Sequence, residues 1–142
     1  MSKFAMSVRA FACALVLAAC ANNRDRSLTE PVDSGIGPIQ LRLRNSGPLA
    51  LTSVHVLVAD DAAPITAETL QPGQTLSFVS RPRAHTDPAV SAKAGGQTLM
   101  SQPVEGFSGF NPPLADGRYT IGLEVANIEG VARLIVRVLK EQ

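Results

Sequence analysis

From Ile39 onward the chain alternates. Ile39, Leu41 and Leu43 fall on one side and Gln40, Arg42 and Arg44 on the other, the period-two signature of a half-buried strand. The run Asn45-Ser46-Gly47-Pro48 breaks the pattern. Val54, Val56 and Val58 predict a second strand, with Ser53, His55 and Leu57 opposite. The stretch "ADDAAP" turns the chain, and residues 65–70 predict a short edge strand. In "QPG", Pro72 fixes φ and Gly73 supplies a positive φ, which makes a turn. Leu76 and Phe78 mark the next strand. "AVSAKA" and "QTLMS" flank Gly95-Gly96 and read as a hairpin, followed by the long loop "QPVEGFSGFNPP". Tyr119, Ile121, Leu123 and Val125 alternate after Gly117, "NIEG" turns, and residues 131–139 form the last strand. Beyond the first twenty residues, no stretch of ten or more has helical periodicity. About seven short strands separated by Gly/Pro turns predict an all-β chain, a single antiparallel sandwich.

The N-terminus follows a different rule. Lys3 and Arg9 precede the apolar run Ala10 to Ala19. About ten residues are too few to cross a bilayer core of roughly 30 Å as a helix. A basic start, a short apolar middle and the small residues Ala18 and Ala19 together make an export signal. Leu17-Ala18-Ala19-Cys20 resembles the lipobox of bacterial lipoproteins. The resemblance implies that the Cys20 thiol receives a diacylglycerol, that the chain is cut before it, and that the new amino terminus is acylated. Ala21 follows, where Asp would be similar to the inner-membrane retention pattern. The resemblance therefore implies the periplasm-facing side of an outer membrane. Residues 1–19 are then the signal peptide, 20–38 the lipidated Cys and a flexible polar linker, and 39–142 the β-sandwich domain. Cys13 sits early, behind bulky Phe11, and leaves with the signal. The mature chain would have no pair of thiols to join.

Composition narrows this further. A chain of 142 residues suits one domain, and 45% hydrophobic residues supply a core. With no Trp and one Tyr, that core is aliphatic. The formal charge is +1; without the first 19 residues it becomes 11 basic against 12 acidic. Such balance gives no electrostatic case for nucleic acid.

Three turn motifs sharpen the fold. Asn45-Ser46-Gly47 follows the first strand, "LQPGQT" spans Leu70 to Thr75, and "LADGRYT" spans Leu114 to Thr120. Together they resemble the turns of bacterial immunoglobulin-like modules. That resemblance implies an immunoglobulin-like sandwich in which the Tyr119 hydroxyl bonds back to the corner backbone. The region between Phe78 and Leu114 is longer than that pattern needs, so strand order there is left open.

The chemistry is sparse. His55, His85 and Met100 are far apart in sequence and lack ligand spacing, so no metal or other cofactor is expected. "GFSGF" at 106–110 misses the spacing of a nucleophile elbow and the helix after it. Asp60 and Asp61 sit in a turn, where adjacent side chains diverge, which argues against a carboxylate dyad. No enzyme is expected. Two features suit contact with a partner. Phe107 and Phe110 lie in the loop before Pro112-Pro113, either as an apolar contact or folded over the open end of the sandwich. Arg42 and Arg44 share one side of the first strand, and Arg133 and Arg137 one side of the last. If those strands are neighbours, four guanidinium groups meet. They then either receive carboxylates and phosphates or protect sheet edges by charge. The expectation is a membrane-anchored, non-enzymatic interaction or assembly module of the bacterial envelope with a protein partner. The alternative is a binder of peptidoglycan or lipopolysaccharide through the arginine face.

Overall fold

The computed structural model describes residues 37–102 and 111–142. Eight strands follow in chain order: β1 (Ile39–Asn45), β2 (Leu51–Leu57), β3 (Ile65–Leu70), β4 (Val79–Arg81), β5 (Ala89–Ala94), β6 (Gln97–Ser101), β7 (Gly117–Ile128) and β8 (Val131–Lys140). Among the described residues there is no helix. The strands form two four-stranded sheets, ordered β4-β1-β7-β8 and β3-β2-β5-β6, so the described residues form an all-β sandwich.

The alternation of β1 decides its two faces. Ile39, Leu41, Leu43 and Asn45 are buried, while Gln40 and Arg44 are exposed and Arg42 half-buried. β7 does the same with Tyr119, Ile121 and Leu123. These side chains join Leu51, Val54, Val56, Ile65, Leu70 and Val90 of the other sheet in one aliphatic cluster. Among the described residues Tyr119 is its only aromatic member.

Three details differ from the sequence pattern. First, β1 and β7 pair in parallel, while every other strand pairing is antiparallel. A parallel pair needs a long crossover, and here the whole second sheet supplies it. β7 therefore lies between β1 and β8, and the first and last strands are not neighbours. Second, β2 carries a bulge. Ser53 has φ 49°, and the register with β5 shifts between Thr52 and His55. The extra residue turns both Leu51 and Val54 inward, where strict alternation would expose one of them. Third, residues 76–78 are not a strand. Leu76 donates its N–H to the Leu43 carbonyl at 2.9 Å and buries its side chain. Phe78 turns outward, and the ladder resumes only at Val79.

The turn motifs hold the ends of the sandwich. In "QPG", Gly73 has φ 75° and donates to the Asn45 carbonyl at 2.9 Å. The Tyr119 hydroxyl donates to the Ala115 carbonyl, 2.9 Å away and four residues upstream. Tyr119→Phe is expected to lower stability by about 0.5–1.5 kcal/mol, the value of one such bond. Urea unfolding should show a shifted midpoint with an unchanged slope, since the ring still fills its place.

Candidate functional site

The same alternation that buries one face of the β4-β1-β7-β8 sheet projects the other outward. β1 presents Gln40, Arg42 and Arg44; β7 presents Arg118, Thr120, Gly122 and Glu124; β8 presents Arg133, Ile135, Arg137 and Leu139. Register places them in rows. Arg44, Gly122 and Arg137 form one row, and Arg42, Thr120 and Leu139 the next. Gln40 lies beside Arg118.

Of the four arginines singled out in the sequence, three come together. Arg42 and Arg44 are two residues apart on β1, and Arg137 stands across Gly122 from Arg44. Adjacent strands are about 4.8 Å apart, so two strand spacings bring these backbones within about 10 Å. Arg133 stands opposite Ala126, beyond the end of β1 and roughly 13 Å along the strand from Arg137. Arg118 takes the fourth place. The alternation of β7 already marked it as outward-facing, but its neighbours depended on the order of the strands.

Gly122 leaves a depression in the middle of this face. A Cβ there would meet Ser46 Oγ at 3.2 Å and the Arg137 carbonyl oxygen at 3.7 Å. The hollow, about 70 Å³, is lined by Ser46, Glu124, Ile135, Arg137 and Leu139.

At the other end of the face, Phe78 carries two guanidinium groups. Arg118 lies 4.1 Å from its ring centroid and Arg42 lies 4.7 Å away, both within the range of cation–π attraction. Arg42 is further engaged. Its Nε donates to Thr120 Oγ1 at 3.0 Å, and its Nη2 lies 2.7 Å from Glu141 Oε1. Thr120 Oγ1 in turn donates to Glu141 Oε1. The Thr120 hydroxyl, chiefly, and the charges of Arg42 and Arg118 hold the Glu141 carboxyl below the usual carboxylate range, against a smaller opposing effect of burial. Among the described residues, Arg44, Arg118, Arg133 and Arg137 make no ion pair or hydrogen bond through their side chains.

The remaining sequence candidates are dispersed. His55 is exposed on β2. His85 Nδ1 donates to the Asn111 carbonyl at 2.6 Å, and the buried Asn111 amide bonds Asp87 through both its ends, which closes a loop. Asp61 forms a surface ion pair with Arg83. Met100 is 62% exposed on β6. Among the described residues, no group of three or more His, Cys, Asp or Glu could hold a metal ion. Cys20, Phe107, Phe110 and "GFSGF" lie outside the described residues.

Among the described residues β6 pairs only with β5 and β8 only with β7, so each is an edge strand of its sheet. The two approach each other around an open groove lined by Leu99, Met100, Ile128, Val131, Leu134 and Ile135. Val131 is 55% and Ile128 40% exposed.

No protein-family model and no curated protein matches the chain. Among solved structures, the chain is similar to an NMR structure of a protein from Eubacterium rectale, with 13% identity and a TM-score of 0.50. The match covers 74% of this chain and 93% of that one. At that identity the likeness concerns the fold alone.

Proposed function

We propose that this chain is a lipid-anchored, non-enzymatic interaction module of the bacterial envelope. In this reading Cys20 carries the acyl chains at the outer membrane, and an immunoglobulin-like sandwich faces the periplasm. Its contact surface is the outward face of the β1-β7-β8 strands, and its target is an anionic envelope component such as peptidoglycan or lipopolysaccharide. The observation that carries the reading is the convergence of Arg42, Arg44, Arg118 and Arg137 on one sheet face, with only Arg42 engaged by a carboxylate among the described residues. Guanidinium forks match carboxylate and phosphate oxygens. A membrane anchor raises the local concentration of such a surface, so a modest contact suffices.

The test is retention of the lipidated chain, in neutral detergent, on purified sacculi and on immobilised lipopolysaccharide. Binding at about 0.05 M salt should be lost at about 1 M, where the screening length falls to about 3 Å. Replacing Arg44, Arg118 and Arg137 together by Gln should weaken it at least tenfold, with the melting temperature nearly unchanged because all three are exposed. Failure of the wild-type chain to bind either material at low salt would overturn the reading.

A second reading, assembly with an envelope protein, is favoured by the edge strands β6 and β8 beside Met100, Ile128 and Val131. An extended partner strand would pair with one edge and bury these side chains. Capture of a single envelope protein that persists at about 1 M salt supports it, and capture that vanishes there does not.

A further inference from the structure

We infer that Arg42 and Arg118, seated on Phe78, form together with Thr120 an oxyanion site for the carboxylate or phosphate groups of an anionic polysaccharide. Glu141 already occupies this site as an internal competitor. The inference rests on the arginine-face reading proposed above and names its central contact and its built-in regulator.

The geometry begins with the backbone. Tyr119 pairs with Lys140, so Glu141 falls opposite Arg118, and its N–H donates to the Arg118 carbonyl at 2.9 Å. The ladder thus continues one residue past β8 and aims the Glu141 side chain along the outer face. There its Oε1 meets one hydroxyl donor and one guanidinium donor, Thr120 Oγ1 and Arg42 Nη2. These are the donors that a ligand carboxylate or phosphate oxygen would take. Arg42 is fixed by three contacts at once: Thr120, Glu141 and the Phe78 ring. The second guanidinium, Arg118, lies 4.1 Å from the centre of the same ring. Its N–H donors make no hydrogen bond among the described residues. The site is therefore half filled, with one arginine satisfied by the chain itself and one open.

The face is open, broken by one small hollow at Gly122, which suits a polymer better than an enclosed small molecule. Arg42 and Arg44 repeat at two-residue spacing, about 7 Å, and Arg137 continues the row across Gly122. Successive anionic groups of a polysaccharide could engage them in turn. The Glu141 pair is partly open to solvent, with side-chain exposures of 35% for Arg42 and 24% for Glu141. Pairs of this kind hold weakly, so a polyanion can displace Glu141.

The test compares Glu141→Gln, Glu141→Ala, Glu124→Gln and Arg118→Gln in the lipidated chain binding purified sacculi at about 0.1 M salt, with inorganic phosphate as a free competitor. Removing one charge about 4 Å from the ligand position should tighten binding about fivefold in Glu141→Gln and Glu141→Ala. Glu124 carries the same charge on the same face. It lies six residues from Arg118 along β7, about 20 Å and two screening lengths away, and beside Arg137 at the Gly122 hollow, so Glu124→Gln should tighten binding less than Glu141→Gln does. Arg118→Gln should weaken binding about tenfold, and phosphate should compete at least as well against Glu141→Gln as against wild type, because it takes the same vacated donors. Binding that persists but is unaffected by Glu141→Ala, or is tightened equally by Glu124→Gln, overturns the competitor and leaves the arginine face standing. Absence of binding in wild type and in every variant removes both. Circular dichroism melting of each variant checks that the sandwich is intact.

Discussion

Cys20→Ser is expected to abolish membrane anchoring. In the lipid-anchored reading proposed above, a serine hydroxyl cannot replace the Cys20 thiol as acceptor of the diacylglycerol, so the variant should appear in the soluble fraction or remain as uncleaved precursor. On that reading the effect is large because the anchor would be large. Each buried methylene is worth about 0.8 kcal/mol, and although one acyl chain binds only reversibly, two or more hold firmly. Among the described residues the exposed large apolar side chains are Leu49, Met100, Ile128, Val131 and Leu139, a much smaller apolar surface than several acyl chains. Fractionation of cells, with mass spectrometry of the N-terminal peptide, checks the outcome. Wild type should show the mass of a multiply acylated cysteine at position 20. A Cys20→Ser protein that still fractionates with membranes after a high-salt wash would contradict the lipobox reading.

Asn45→Ala is expected to lower the stability of the domain by about 3 kcal/mol. Asn45 ends β1, is fully buried and uses its whole amide. Nδ2 donates to the Leu49 carbonyl at 2.7 Å and to the Leu70 carbonyl at 2.9 Å, and Oδ1 accepts from the Gly47 N–H at 3.0 Å. Leu70 is the last residue of β3 in the other sheet. One side chain therefore shapes the turn after β1 and ties the two sheets together. Truncation leaves the Leu70 carbonyl and the Gly47 N–H buried without partners, at about 1–3 kcal/mol each. For a domain of this size that lowers the melting temperature by more than about 10 °C. Asn45→Asp should fare no better. It keeps the acceptor for Gly47 but turns two donors into a carboxylate facing two carbonyl oxygens. Chemical denaturation of both variants measures the loss, and a change below about 0.5 kcal/mol in Asn45→Ala would show that water replaces the amide.

Both predictions concern residues visible in the sequence, but for different reasons. Asn45-Ser46-Gly47 reads as a turn because Asn bonds its own backbone two residues on, and that bond is local. Its bond to Leu70 spans 25 residues and has no sequence signature. The bulge at Ser53 escaped the pattern because it inserts a residue without disturbing the hydrophobic count. The outward turn of Phe78 escaped it because a large apolar side chain normally marks the core. Here two guanidinium groups cover the ring instead. Arg118 was legible as exposed, since Tyr119 beside it faces inward, but nothing local links it to Phe78, forty residues earlier.

What the amino-acid order determined by itself is which side of each strand faces the core and where most turns fall. Both follow from rules that act over two to four residues: the pleat reverses each successive side chain, and Pro, Gly and Asn restrict or free the backbone where they stand. What only the tertiary structure decided is the order of the strands. β7 lies between β1 and β8, parallel to one and antiparallel to the other. That insertion displaces Arg133 from the cluster, brings Arg118 into it and lays Glu141 against Arg42. Strand neighbours are chosen by the global packing of two apolar faces, an energy summed over the whole core and encoded in no single stretch of the chain.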